Sequence, residues 1–290
     1  MKKRKILDSL CYALMAAAMG TILIVLVFIL VYITKSSSGF LNFSLFTDGA
    51  QGILPMIVTT VYMVLVSISI ALPVGIATSI FLNEYSGDTQ ISGRGTLAAS
   101  FLDSLYRALR LAIETLAGIP SIIYGLFGLL VFCRILGFGQ SIIAGGFTLS
   151  IMILPVIIRT TEESLKSIPD SFREASLSLG ATKFQTILHV VLPSALPGIV
   201  TSVILAIGRV VGESAPVLLT VGLTKNMPRT IFESGRTLTI HLYYLTNEAI
   251  NPEDFGRAFA TAAVLVILVI IINTVTKIIS GGFRKKMGDL

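Results

Sequence analysis

Leu196-Pro-Gly-Ile-Val-Thr-Ser-Val-Ile-Leu-Ala-Ile-Gly-Arg-Val-Val-Gly-Glu-Ser-Ala-Pro216 lies in an apolar stretch, 194–224, that is long enough to cross a bilayer and carries one arginine and one glutamate inside it. About 20 residues rising about 1.5 Å each cover the hydrocarbon core. Arg209 sits midway, where a lone arginine costs about 2.5–3.5 kcal/mol on insertion scales, so it needs a partner. Glu213, four residues on, falls on the same face of a helix and offsets much of that cost. Gly208 and Gly212 form a G-x-x-x-G beside the pair, which lets another helix approach closely, and Pro216 breaks the helix one turn later. The pair therefore lines an interface or a wet cavity. It is either a self-neutralised structural ion pair or an arginine facing a path for an anion, held in place by Glu213.

The rest of the chain agrees with a membrane reading. Of 290 residues, 54% are hydrophobic and 13% charged, with a mean hydropathy of +0.87, whereas a soluble domain is about a quarter charged. The net charge of +6 is scattered between apolar runs, so no basic stripe points to nucleic acid. Cys11 and Cys133 form no metal-binding, redox or disulfide pattern. Apolar stretches occur near 11–33, 53–82, 114–137, 139–158, 194–224 and 258–280, predicting an all-α polytopic membrane protein with six transmembrane helices in one domain, residues 1–290. The first stretch follows Lys2-Lys-Arg-Lys5 and reads as an uncleaved anchor. With the N-terminus inside, inner segments hold 15 lysines and arginines and outer segments six; Arg94 is among the inner ones. This bias predicts both termini in the cytoplasm of a bacterial plasma membrane, 159–193 as a cytoplasmic loop and 225–257 as an extracytoplasmic one. Seven of the ten prolines fall in or beside the spans and predict bent or broken helices, as membrane helices tolerate and gating can use.

Two connections carry more information than a linker requires. Asp103, Arg107, Arg110 and Glu114 share one helical face, with Leu97, Phe101, Leu105 and Leu109 on a neighbouring one; this predicts an amphipathic helix with two i,i+4 ion pairs, lying along the membrane or against other spans. Gly118-Ile-Pro-Ser-Ile-Ile-Tyr-Gly125 follows. Gly118 and Pro120 interrupt the helix, and the backbone groups they free must be satisfied by protein or a wet cavity, so Ser121 and Tyr124 stand beside a break. In the 159–193 loop, Ser171-Phe-Arg-Glu174 after Pro169 fits a capping box, and the helix it opens stops at Gly180. Thr182-Lys-Phe-Gln185 fits a second capping box, opening a helix that runs to Pro193. Two short helices about a glycine form a compact knob suited to docking a cytoplasmic partner.

Catalysis finds no support. His189 and His241 fall on opposite sides of the membrane in this topology, and neither G-x-S-x-G nor H-E-x-x-H occurs. No G-x-x-x-x-G-K-[ST] cradles nucleotide phosphates, so ATP-powered transport would need hydrolysis by another chain.

Arg173-Glu-Ala-Ser-Leu-Ser-Leu-Gly180, with Pro193 after twelve residues, resembles the EAA loop of permease subunits in bacterial ABC importers, with Ser176 in place of the family's second alanine. Ala117-Gly-Ile-Pro-Ser-Ile-Ile-Tyr-Gly-Leu-Phe127 and the 196–216 stretch resemble phosphate transporter permeases, and the Glu-Ser-Ala-Pro ending is similar to the PstA-type subunit more than to the PstC-type. The resemblance implies a type I ABC importer permease fold. It also implies a PstC-type sister subunit, two PstB-type ATPases that bind the ATP and dock on the loop containing Arg173, Glu174, Ala175 and Gly180, and a PstS-type extracytoplasmic binding protein. The resemblance further implies that Arg209, at the arginine of the Gly-Arg-x-x-Gly-Glu segment, takes the family's role in phosphate passage, with Glu213 beside it. The short N-terminal region and the length of the outer loop depart from the family and bear on how the binding protein docks. Other oxyanions (sulfate, molybdate, phosphonate) stay open as substrates, since one arginine discriminates poorly among them. An ATP-independent anion transporter would have no use for a motor-docking knob, and a membrane-embedded enzyme lacks a nucleophile and base on one side.

Overall fold

The computed structural model describes residues 2–47, 52–85, 97–249 and 251–288, and these are helical with no strand. Arg94 lies outside the described residues, as do the side chains of Lys2, Lys3, Arg4, Lys5, Leu97, Phe101, Asp103, Arg284, Lys285 and Lys286. Five helical stretches are long and apolar enough to cross a membrane: Asp8–Ser37, Leu54–Tyr85, Ile142–Lys166, Lys183–Gly212 and Glu253–Gly282. A sixth candidate is the pair Ser104–Gly118 and Ser121–Ile135, bent by 107°.

In chain order the helices are α1 (Lys2–Ser37), α2 (Ser44–Thr47), α3 (Leu54–Ile80), α4 (Leu97–Gly118), α5 (Ser121–Gly128), α6 (Ile142–Lys166), α7 (Asp170–Ser178), α8 (Lys183–Thr186), α9 (Leu192–Gly212), α10 (Ala215–Thr220), α11 (Leu238–Asn247) and α12 (Pro252–Gly288). π-helical turns at Phe81–Tyr85, Leu129–Ile135 and Ile187–Val191 extend α3 and α5 and join α8 to α9. The core is the α3–α6–α9 seam, where Met63, Val64 and Ala71 meet Leu149, Met152, Ile153 and Ile157, and these meet Ala206, Ile207, Val210 and Val211. Water does not drive this packing inside a bilayer, so close contact between small residues does. A Cβ on Gly75 of α3 would lie 2.5 Å from Ile157 Cγ2, which shows how near the two backbones run. Ser79 Oγ donates to Ile158 O across the same seam at 2.9 Å. By contrast, α1 is exposed along most of its length and meets the bundle through α12, with Tyr32 edge-on to Phe259.

One expectation is corrected and two segments gain detail. The stretch read as a third span is divided by a bend: residues 114–118 belong to α4 and α5 starts at Ser121, because Pro120 has no N–H and holds a ψ of 140° as the N-cap of α5. The helix opened by Thr182 does not stop at Pro193. It passes through the Ile187–Val191 π-turn, where Leu192 N–H bonds Ile187 O, and continues as α9, so the lengthened turn absorbs the proline and the knob runs unbroken into the fifth span. The 225–257 loop contains α11, whose Leu238 and Ile240 are fully buried; Leu238 N–H donates to Thr60 Oγ1 of α3 at 3.0 Å. The segment before α11 also caps the fourth span, since Ile142 and Ile143 N–H donate to Glu233 O and Ile231 O at 3.0 and 2.8 Å.

Candidate functional site

α9 ends at Gly212, and Glu213 adopts an extended backbone (φ −77°, ψ 133°) before α10 starts at Ala215. Glu213 is therefore off the helix face on which the i,i+4 spacing put it, yet its carboxylate turns back to within 3.7 Å of Arg209 Nε. The Arg209 side chain is 36% exposed and that of Glu213 17%. The break also frees carbonyls: Thr239 Oγ1 of α11 donates to Val211 O at 2.5 Å, a contact that no local motif in the sequence signals. Gly208 and Gly212 meet no other part of the described chain, for a Cβ on either would have open space around it. With Thr201 and Leu205 they leave one face of α9 exposed beside Arg209, and among the described residues no helix packs on the G-x-x-x-G.

The second helix break is brought against the first. Tyr124 is buried, and its hydroxyl donates to Leu116 O of α4 at 2.6 Å, so the side chain after the break satisfies a carbonyl before it. A Cβ on Gly125 would lie 2.8 Å from Pro216 Cα, so the α5 backbone presses on the start of α10, and Tyr124 stands within the field of Arg209. Gly118 and Ser121 are at the bend, and Gly118 has open space around it. Two broken helices and one arginine thus form a single locus, which the separate motifs did not reveal as adjacent. Helix breaks at membrane depth are tolerated where protein or a wet cavity satisfies the freed backbone groups, as Tyr124 and Thr239 do for Leu116 O and Val211 O.

At the other locus, α7 starts at Asp170 with Pro169 as its N-cap, and the Ser171–Glu174 capping box does not form because the helix begins two residues early. The stop is as read: Gly180 has φ +89°, its N–H bonds Leu177 O at 3.0 Å, and Ala181 N–H bonds Ser176 O at 3.2 Å, a Schellman end that needs a residue tolerant of the left-handed region. The Thr182–Gln185 capping box is complete in both directions. Ser176 and Thr186 hydroxyls, 2.9 Å apart, lock the two knob helices together. Glu174 and Ala175 face outward, and Phe172, Leu179, Phe184 and Leu188 add an exposed apolar rim. Arg173 does not join them; it turns inward to Glu84 with Nη2–Oε1 at 2.8 Å, and hydrogen bonding to that carboxylate, more than its charge, raises the guanidinium pKa further. The α4 charges also pair across elements: Arg110 meets Glu162 of α6 at 3.0 Å, instead of Glu114 on its own helix.

The histidines lie apart. His189, exposed in the knob, has Nδ1 3.1 Å from Gln185 O. His241 on α11 is buried beside a cavity of about 250 Å³ that Lys225, Glu248, Asp254 and Arg257 also line. Burial first, then the nearby charges of Arg236 and Lys225, lower its pKa to about 4.

Residues 92–289 match the family model described as binding-protein-dependent transport system inner membrane component. The chain is 31% identical to the probable ABC transporter permease protein YqgI of Bacillus subtilis, covering 98% of each. It is 38% identical to the phosphate transport system permease protein PstA 1 of Mycobacterium tuberculosis over 70% of this chain and 62% of that one, and 37% identical to PstA of Mycobacterium leprae over 77% and 69%. Among solved structures it resembles the bacterial alginate ABC transporter (TM-score 0.67, 15% identity, 96% of each chain) and the inward-facing MetNI methionine ABC transporter (TM-score 0.55, 23% identity, 84% of this chain and 96% of that one). The chain belongs to the family of binding-protein-dependent transport system inner membrane components, as a permease subunit of an ABC importer.

Proposed function

We propose that this chain is the PstA-type permease subunit of an ATP-driven importer of inorganic phosphate. Arg209 carries the reading. It is a half-exposed guanidinium on the open face of α9, beside two helix breaks, with one loose carboxylate partner. A guanidinium offers a planar fork to phosphate oxygens. The 3.7 Å approach to Glu213 is longer than a tight charge-assisted hydrogen bond, so the arginine can leave the carboxylate for the anion and return to it. The open glycine face has the shape that a PstC-type sister subunit would close. The outward Glu174, Ala175 and apolar rim of the knob suit the docking of a PstB-type ATPase, one on each permease subunit, and a PstS-type protein would deliver phosphate from outside. ATP-driven closure of the two ATPases would then move the knob, and with it the unbroken helix from Lys183 to Gly212, alternating the access to Arg209. This orientation puts both termini and the knob in the cytoplasm, in agreement with the lysine and arginine bias. The names of the Mycobacterium relatives support phosphate over other oxyanions.

The test is uptake of radiolabelled phosphate at low external concentration, in cells lacking this gene and with it restored, with unlabelled sulfate as competitor. Restored uptake that survives sulfate and collapses when ATP is depleted at constant proton gradient is the expected result. Equal uptake in the two strains refutes the substrate, and uptake that follows the proton gradient instead of ATP refutes the ATP-driven mechanism.

A further inference from the structure

The guanidinium of Arg173 has five N–H donors, and each has an acceptor. Nη2 donates to Glu84 Oε1 at 2.8 Å and to Leu165 O at 3.0 Å, Nη1 to Ile168 O at 2.9 Å and Asp170 Oδ1 at 3.1 Å, and Nε to the Glu84 carboxylate at 3.2 Å. Glu84 is in the π-turn Phe81–Tyr85 that ends the second span, and its side chain is 7% exposed; Asn83 Nδ2 holds the same Oε1 at 2.8 Å. Leu165 and Ile168 are at the end of the fourth span. One side chain therefore fastens the knob's first helix to two spans at once. A second contact points the same way, with Lys183 Nζ of α8 5.0 Å above the ring of Tyr85 in the same π-turn. The knob's second helix needs no such device for the fifth span, because it is continuous with it.

We infer that the Arg173–Glu84 pair is the transmission linkage between the knob and the second span. It makes a displacement of α7 displace α3 and α6 together, while α8 displaces α9. Its residues act by position and not by contact with substrate. An exposed ion pair could not do this, since solvated pairs are held weakly; this one is largely withdrawn from solvent, with Arg173 17% and Glu84 7% exposed, and has its donors filled. A π-turn is a suitable attachment, as its lengthened ring of hydrogen bonds sets Glu84 off the regular helical register. Lysine cannot replace Arg173, having three donors about a point and no planar fork. The inference rests on the reading of the knob as the ATPase-docking element.

The experiment uses the assembled transporter in nanodiscs. The variants are Glu84→Gln and the double variant Glu84→Gln/Arg173→Gln, the second of which removes the fork without leaving an unpaired buried charge. Spin labels at Ser171→Cys on α7 and Leu65→Cys on α3, with Cys11 and Cys133 changed to serine, report the knob-to-span separation. In the otherwise wild-type complex ATP is expected to leave this separation unchanged, since the two move as one body. In the variants ATP shifts or broadens it, ATP hydrolysis stays near the unmodified rate, and phosphate moved per ATP falls by about tenfold or more. An unchanged separation and unchanged transport per ATP in both variants would overturn the linkage, as would loss of complex assembly in both, which makes the pair merely structural. If the wild-type complex moves no phosphate, the substrate reading fails, and the distance measurement still decides the linkage. A chain that binds no ATPase overturns both.

Discussion

Arg209 Nε lies 3.7 Å from Glu213 Oε1 although the helix bearing Arg209 has ended before Glu213 is reached. The pair survives because the extended backbone at Glu213 swings its side chain back toward the last helical turn. A pair across a helix end is looser than one along a helix, which suits an arginine that must exchange partners. Arg209→Gln is expected to abolish uptake while the complex still assembles. Arg209→Lys keeps the charge and loses the fork, so uptake should fall about tenfold or more. Assembly is read by co-purification of the partner chains; if Arg209→Gln does not assemble, the pair is a structural one.

The knob makes a separate prediction. Gly180 holds φ +89°, where a side chain costs about 1–2 kcal/mol and a β-branched one more. Gly180→Val should tilt the two knob helices apart without disturbing the spans, leaving membrane insertion intact and lowering ATPase stimulation by the binding protein. Glu174→Lys, on the outward face, should weaken ATPase co-purification without that conformational strain. Wild-type ATPase stimulation in both variants would remove the knob from the coupling route.

At the meeting of the two breaks, Tyr124→Phe deletes the shorter of the two hydrogen bonds to Leu116 O, leaving only Ile119 N–H at 3.3 Å, at a cost of about 0.5–1.5 kcal/mol. Gly125→Val places atoms against Pro216, whose Cα is 2.8 Å from where the new Cβ would be, and should be the more damaging of the two. The check is thermal unfolding in detergent alongside uptake. A Tyr124→Phe protein as stable and active as wild type would show that the bend at Pro120 needs no such support.

What the sequence disclosed follows from the range of the interactions. The membrane spans and the knob are local: apolar length, Gly180 and the Thr182–Gln185 capping box are written in consecutive residues and appear in the fold. The Ser171–Glu174 box failed on a local competition, since Asp170 is already helical and Pro169 occupies the cap. Pro193 looked like a terminus because a proline removes an i→i−4 bond, and the π-turn before it was not foreseeable from a 3.6-residue period. The non-local pairs were not legible at all. Nothing near Arg173 points to Glu84, 89 residues away, and Gly125 against Pro216 is visible once the two breaks are known to meet.

His241 gives a pH prediction whose sign follows from its environment. Burial, helped by Arg236 and Lys225, lowers its pKa to about 4, against about 6.5 in an unfolded chain. Between these values the unfolded state binds a proton that the folded state refuses, so stability is full above about pH 6.5, declines as pH falls toward 4, and levels off below it. A shift of this size corresponds to about 3 kcal/mol over the whole window. Its Nδ1 has no hydrogen-bond partner among the described residues, so no local acceptor opposes the loss. Thermal unfolding measured at pH 7 and pH 5 should show the wild type losing more stability than His241→Gln, which cannot titrate. Equal losses in the two proteins would show that His241 does not set the acid sensitivity.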